Sequence, residues 1–232
     1  MGSEHPADSR RILAVIGPHG GCGKTTLICH LIGHVPALGC LKLSPRHEPA
    51  SAGPGARPRD RGGYHLAERT VLEQAGSDTG RFLAAGAAHV QWLEYDPHDP
   101  SAGLVAALAR FPAAIPMVTE GTVAVAHLQP AAVILVTPLS PREMKPSTGA
   151  VLEAVTDVVV NGRAGQHHET LSRELRAAYP QLRPMFWWSA DLSVGTPPPP
   201  FLARIRMLAA PPQRYTSPVP VPRAGSSPGP EA

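Results

Sequence analysis

Short apolar runs rich in Val and Ile alternate along the chain with longer stretches of helical periodicity. Buried strands of a parallel sheet produce the first pattern, and helices packed on that sheet produce the second. The alternation predicts an α/β fold, with a doubly wound, mostly parallel sheet that carries helices on both faces. We expect strands near 11–17, 40–44, 88–95, 114–120, 131–137, 156–161 and 184–189. We expect helices near 24–35, 65–75, 78–86, 101–110, 148–155, 167–179 and 200–209.

The pattern weakens in three places and so suggests the domain limits. A chain of 232 residues is long enough for one substantial core. Residues 1–10 and the Pro-rich residues 211–232 carry too few apolar side chains to offset chain entropy, so we expect both to be disordered around one domain over 11–210. Residues 45–63 are rich in Pro, Gly and Arg, which predicts a mobile loop near a ligand-binding site.

Composition narrows the class of protein. The formal net charge is only +3 and the arginines are scattered, so charge gives no case for nucleic acid as a partner. The longest apolar run, Ala131–Val136, is too short to span a bilayer, and residues 1–11 are polar, so no membrane association is expected. Three cysteines, Cys22, Cys29 and Cys40, suit a reducing compartment better than a disulfide scaffold. We therefore expect a cytoplasmic protein.

The strongest chemical signal is a glycine-rich segment, Gly17–Thr26, between the first predicted strand and the first predicted helix. Glycines can bend the backbone with positive φ and approach an anion closely, so their amides and those at the helix start can surround phosphates. The candidate nucleotide-binding residues are Gly20, Gly21, Cys22, Gly23, Lys24, Thr25 and Thr26. Lys24 is placed for the β/γ-phosphates, the Thr25 hydroxyl for Mg²⁺, and Thr26 for the α-phosphate side. The segment thus predicts a P-loop NTPase-like domain that binds a nucleoside triphosphate.

The spacing of this segment is irregular. The common pattern has glycine five positions before Gly23, whereas this chain has Pro18 there and Gly17 one residue earlier. The segment is therefore either one residue longer than usual or of a variant Gly-Gly-x-Gly-Lys type.

Three further polar residues are candidates for the same site. Glu120 follows an apolar strand, and ligands of open α/β sheets gather at the carboxyl ends of strands, so Glu120 is a candidate metal-binding and catalytic residue together with Lys24. Asp78 is either a second metal ligand or only an acid in the first turn of a helix. Asn161 follows another strand and lies either near the base or in a simple turn.

The residues that carry these signals resemble a known family. Gly23-Lys24-Thr25-Thr26-Leu27, a second strand with Lys42, the segment 76–88 and Glu120-Gly121 are similar to elements of the molybdopterin-guanine dinucleotide biosynthesis protein B family of P-loop GTP-binding proteins. The resemblance covers roughly residues 11–161. It implies an accessory protein that binds GTP and Mg²⁺, hydrolyses GTP slowly if at all, works as a homodimer and assists a partner protein of molybdenum cofactor biosynthesis.

A second resemblance keeps an alternative open. The run Gly20–Thr26 is also similar to partition ATPases of the ParA/MinD type, in which a lysine stands where this chain has His19. No Asn-Lys-x-Asp element fixes guanine, so the nucleotide is GTP or ATP. Because the sequence reveals neither an arginine finger nor a catalytic base, we expect weak hydrolysis and the role of a switch or accessory protein. A non-hydrolysing, nucleotide-dependent adaptor is the other alternative.

Overall fold

A computed structural model of the chain describes residues 11–46, 63–138, 144–162 and 168–211. Its centre is an eight-stranded sheet in the order β3-β4-β2-β5-β1-β6-β7-β8, and all neighbouring strands are parallel except β3 and β4. The strands are β1 Ile12–Ile16, β2 Gly39–Pro45, β3 Tyr64–Leu66, β4 His89–Tyr95, β5 Met117–Glu120, β6 Ala132–Pro138, β7 Asp157–Asn161 and β8 Phe186–Ala190.

Helices cover both faces of this sheet. They are α1 Lys24–Ile32, α2 Arg69–Leu72, α3 Asp78–Ala84, α4 Ser101–Leu108, α5 Val123–Leu128, α6 Pro146–Gly149, α7 His168–Ala178 and α8 Pro199–Ala209, with a 3-10 turn over Leu152–Ala154. The predicted α/β fold class, with a doubly wound and mostly parallel sheet, is confirmed.

Side-chain alternation along β1 explains why the sheet needs helices on both sides. Leu13 and Val15 pack with apolar residues of α1, α3 and α8, whereas Ala14 and Ile16 point to the other face, where α7 packs. Every residue of β1 is buried, as expected for a central parallel strand. Both faces of the strand therefore lie in the core, and only its carboxyl end is available for a site.

The sequence predicted seven strands and most of the helices within a few residues. It was wrong over 65–75, where a helix was expected: Tyr64–Leu66 form the edge strand β3, and only Arg69–Leu72 are helical. The prediction also missed α5, a helix of six residues. The helix expected over 148–155 is instead α6, which begins at Pro146, followed by the separate 3-10 turn. These elements are short, so the tertiary neighbours decide them more than a repeating pattern does.

Pro116 directly precedes a central strand. β5 begins at Met117, three residues after the start expected from the sequence, and lies between β1 and β2 in the middle of the sheet. The carbonyl of Pro116 accepts a hydrogen bond from Gly39 N at 2.9 Å. Proline lacks only the donor, so the residue before the strand can still serve as an acceptor.

Three expectations fall on residues that the structure does not describe and so stay predictions. They are the disorder of residues 1–10, the mobile loop over 45–63 and the disordered tail over 211–232, of which only residues 45, 46, 63 and 211 are described. Within the parts of the chain that the structure describes, no helix combines the length and apolar character needed to cross a membrane.

Candidate functional site

The glycine loop, defined here as residues 17–23, joins the carboxyl end of β1 to α1 at the centre of the sheet. Gly21 and Gly23 adopt left-handed conformations, with φ of 74° and 105°. An L side chain rarely tolerates such angles, so these two positions need glycine. A Cβ on Gly20 or Gly21 would meet no atom within 4 Å, so the loop presents open backbone there.

Asn161 supports this loop from the end of β7. Its Nδ2 donates a hydrogen bond to the Cys22 carbonyl at 3.1 Å, and its Oδ1 accepts one from Leu192 N at 3.1 Å. A Cβ on Gly23 would lie 2.5 Å from Asn161 Nδ2, which gives Gly23 a packing role as well. The structure therefore places Asn161 beneath the loop, where it stabilises the loop backbone. A contact of Asn161 with the base of a nucleotide stays a prediction.

Cys22 turns its side chain inward. Its side chain is buried, and a Cβ on Gly17 would clash with its Sγ. Lys24 Nζ lies 3.7 Å from this sulfur. The thiol thus fills space beneath the loop, and the part of Cys22 available to a ligand is its backbone.

One side-chain hydrogen bond and one backbone hydrogen bond hold the start of the loop, at Gly17 and Pro18. The buried Thr148 hydroxyl of α6 donates to the Gly17 carbonyl at 2.8 Å, and Lys145 N donates to the Pro18 carbonyl at 3.1 Å. The segment 144–148 is thereby fixed against the start of the loop.

Lys24 lies over the mouth of the loop. Its Nζ donates to the His19 carbonyl at 3.2 Å and lies 4.0 Å from Glu120 Oε1. The side chain is 14% exposed, so the amine is partly shielded but still borders the cleft. A lysine in this position can exchange its contact with the loop carbonyl for one with an anion.

Thr25, Asp78 and Glu120 bring three oxygen-bearing side chains together from three elements. The Thr25 hydroxyl lies 3.0 Å from Asp78 Oδ1 and 3.2 Å from Glu120 Oε2. α1 supplies Thr25, the first turn of α3 supplies Asp78, and the end of β5 supplies Glu120. Hydroxyl and carboxylate oxygens are ligands that suit Mg²⁺, so this group fits a magnesium ion that also keeps water or phosphate ligands.

The three predicted metal residues therefore meet in space. Among the described residues, no group of three or more His, Cys, Asp and Glu side chains is arranged for a metal ion. A transition-metal centre built from His and Cys is not present in that part of the chain, and the hydroxyl of Thr25 is needed to complete the oxygen group.

Lys42, Arg81 and Lys145 border the same cleft, and reasoning from the residues alone did not assign them to the site. Lys42 on β2 forms an ion pair with Asp78 Oδ2 and lies opposite Glu120 in the register of β2 and β5. Arg81 Nη2 donates to the Thr26 hydroxyl at 3.1 Å. Two signals were available in the sequence. Lys42 is a charged residue between Leu41 and Leu43 in the middle of a strand, and Arg81 lies one turn after Asp78.

The two carboxylates of the site have opposite pKa shifts. Burial raises the pKa of Glu120, and the charges of Lys42 and Lys24 only partly oppose this effect. Partial burial also acts to raise the pKa of Asp78, but its hydrogen bond with Lys42 and the charge of that lysine outweigh it, so this pKa is lowered. Asp78 is thus held as a carboxylate, whereas Glu120 pays a desolvation cost for its negative charge.

Together these side chains surround a cleft of about 570 Å³. The residues that line it are Gly20, Gly21, Gly23, Lys24, Thr25, Thr26, Lys42, Leu43, Ser44, Pro45, Asp78, Arg81, Glu120, Gly121 and Lys145. All the predicted site residues line it except Cys22 and Asn161, which lie beneath the loop.

Comparison of this chain with protein-family models and with curated proteins found no match.

Proposed function

We propose that this protein binds a nucleoside triphosphate together with Mg²⁺ in the cleft at the glycine loop. The observation that carries the proposal is the placement of the Thr25 hydroxyl within 3.2 Å of both Asp78 and Glu120, directly after Lys24 and a loop with two left-handed glycines. A phosphate chain needs amide donors and cations, and its metal needs oxygen ligands. The cleft offers all of these at one place.

Each residue has a distinct role in this proposal. The amides of Gly20, Gly21 and Gly23 surround the phosphates, and Lys24 turns from the His19 carbonyl to the β/γ-phosphates. The Thr25 hydroxyl would hold the metal, with Asp78 and Glu120 as its acidic partners. When bound, Mg²⁺ neutralises charge on the phosphate oxygens.

Glu120 is the residue to which we assign hydrolysis. It is buried, and its Oε1 lies 4.0 Å from Lys24 Nζ, so it borders the position of the terminal phosphate. A carboxylate there can orient a water molecule. We propose slow hydrolysis at most, which suits a switch or an accessory protein.

The biological role is proposed from the resemblance of residues 11–161 alone. It favours GTP and an accessory role in guanine dinucleotide attachment to the molybdenum cofactor, as a homodimer with a partner protein of that pathway. The partition-ATPase alternative has a different expectation, ATP. In this chain the His19 ring, at the position of the lysine in those ATPases, is bound to its own loop through a 2.6 Å contact of Nδ1 with the Gly20 carbonyl.

The melting temperature with GTP, ATP, GDP and ADP, with and without Mg²⁺, tests the proposal. A ligand that binds only the native state raises the melting temperature. We expect a Mg²⁺-dependent rise with one triphosphate, lost in Lys24→Ala and kept in Arg110→Ala, which removes an exposed cation outside the cleft. The absence of any rise in the wild-type protein would refute nucleotide binding. A rise only with ATP would refute the molybdenum-cofactor role and favour the partition-type ATPase.

Turnover separates the enzyme from the adaptor. We expect Glu120→Gln to lower phosphate release roughly 100-fold while the nucleotide still binds, because loss of a positioned general base typically costs 10²–10⁴-fold. Phosphate release at background in both proteins would instead identify a non-hydrolysing adaptor.

A further inference from the structure

We propose that Lys145 contacts the terminal phosphate of the bound nucleotide and lets the protein distinguish a triphosphate from a diphosphate. This inference rests on the proposed function, since it concerns the same cleft. Lys145 comes from the segment between β6 and α6, far in sequence from the glycine loop.

The backbone around Lys145 is fixed to the start of the glycine loop. Lys145 N donates to the Pro18 carbonyl at 3.1 Å, and the Thr148 hydroxyl, which is fully buried, donates to the Gly17 carbonyl at 2.8 Å. Two hydrogen bonds within four residues set the position of this segment relative to the loop. The backbone of Lys145 is therefore held beside the glycine loop, and Lys145 lines the cleft.

The amine of Lys145 lies in the electrostatic field of Lys24 and Glu120, the two charged residues beside the start of the glycine loop. Partial desolvation and the nearby charge of Lys24 both lower its pKa, while Cys22 and Glu120 act in the opposite direction. Among the described residues, none forms an ion pair with Lys145, whereas Lys42 is paired with Asp78. Like charges close together are unfavourable, and Glu120, 4.0 Å from Lys24, offsets only part of this repulsion. The pair of Lys24 and Lys145 is therefore complementary to an anion between them.

Position along the loop decides which phosphate Lys145 meets. Lys145 is tied to Pro18, on the side where Lys24 reaches the β/γ-phosphates. Arg81, the other exposed cation of the cleft, is bound to Thr26, on the α-phosphate side. Lys145 and Arg81 thus lie at opposite ends of the phosphate chain, and of these two cations it is Lys145, beside Lys24, that faces the group that distinguishes a triphosphate from a diphosphate.

The test compares dissociation constants for the triphosphate and the diphosphate of the preferred base, with Mg²⁺, in four proteins. These are the wild type, Lys145→Ala, Lys145→Arg and Arg81→Ala. One charge-assisted contact corresponds to roughly a tenfold to 100-fold change in affinity. We expect Lys145→Ala to weaken triphosphate binding by that factor and to leave diphosphate binding within about twofold, since the contact is absent there. Lys145→Arg keeps the charge and the donors and should preserve the preference.

Arg81→Ala is the matched control for charge in the cleft, because it removes one cation from the other end. It should weaken both nucleotides by a similar factor. Equal losses of triphosphate and diphosphate in Lys145→Ala, or no loss, would overturn the assignment of Lys145 while leaving nucleotide binding intact. Failure of the wild-type protein to bind any nucleotide would overturn the proposed function and this inference together.

Discussion

At the scale of single residues, the site places two carboxylates in unlike environments around one hydroxyl. Asp78 has Lys42 as an ion-pair partner, whereas Glu120 is buried, with Lys24 4.0 Å away. Their opposite pKa shifts make opposite contributions to stability. Removing each charge should therefore change the free energy of unfolding in opposite directions.

For Glu120 the native pKa lies above the ordinary value of 4.5, so the native protein binds more protons than the unfolded chain between these two values. Its contribution to stability consequently falls as the pH rises through this interval. For Asp78 the native pKa lies below 3.8, so its contribution is present above 3.8 and is lost as the pH falls through the lowered value.

We expect Glu120→Gln to be more stable than the wild type at pH 7 and equal to it well below pH 4.5, where both forms are neutral. Asp78→Asn should be less stable at pH 7 by about 1 kcal/mol, the value of a charge-assisted hydrogen bond discounted for partial exposure. Urea unfolding in EDTA without nucleotide, from pH 3 to pH 8, measures both. The same sign for both variants at pH 7 would contradict this account of the site.

At the scale of elements, the site depends on contacts that hold β7, β8 and α8 together on one side of the glycine loop. Asp157 at the start of β7 is fully buried, and its carboxylate accepts hydrogen bonds from Trp188 Nε1 of β8 at 2.9 Å and from Arg204 of α8 at 3.0 and 3.2 Å. A buried carboxylate is tolerable only when it is paired and hydrogen-bonded. This ion pair therefore ties α8 to β7, the strand that ends in Asn161.

Arg204→Ala should destabilise the protein by about 3 kcal/mol or more, because it leaves the buried charge of Asp157 without its cation. Arg206→Ala is the control on the same helix: Arg206 is exposed and donates one hydrogen bond to the His34 carbonyl at 2.8 Å. Its loss should cost about 1 kcal/mol or less. Denaturant unfolding compares the two variants, and similar losses would show that the buried pair is not a main support of this part of the fold.

At the scale of the whole molecule, all the strands, helices and loops that contribute residues to the site belong to one sheet or pack against it. β4, with Trp92, lies next to one edge strand, and β8, with Trp187 and Trp188, is the opposite edge. The central strand β1 pairs with β5 on one side and with β6 on the other, and these strands are covered on both faces, so neither half of the sheet can separate without exposing the core.

We therefore expect both edges of the sheet to unfold together. In a Trp187→Phe, Trp188→Phe double variant the fluorescence reports only Trp92, and in Trp92→Phe it reports only β8. For each variant, the midpoint by fluorescence should equal its own midpoint by far-ultraviolet circular dichroism, since coincident transitions indicate one cooperative unit. Different midpoints within one variant would show that the two edges are separate cooperative units.

The long elements were predictable because their patterns are local. β1 is a continuous apolar run, β6 begins with five consecutive apolar residues, and α1 and α8 repeat buried residues at helical spacing. β3 was not predictable, since three residues carry no periodicity and its strand conformation comes from pairing with β4. Likewise, α5 has six residues, too few for a helical repeat to stand out.

The sequence by itself determined the fold class and the place of the glycine loop, and it indicated the residues that we propose for a phosphate and its metal, because strand periodicity and glycine spacing are properties of consecutive residues. Only the tertiary structure decided that Asp78 and Glu120 meet at Thr25, that Asn161 braces the loop, and that Lys42, Arg81 and Lys145 border the cleft. The contacts of Asp78, Glu120 and Asn161 join residues 53 to 139 positions apart, through the order of parallel strands and the loops at their carboxyl ends, and no local pattern fixes that order.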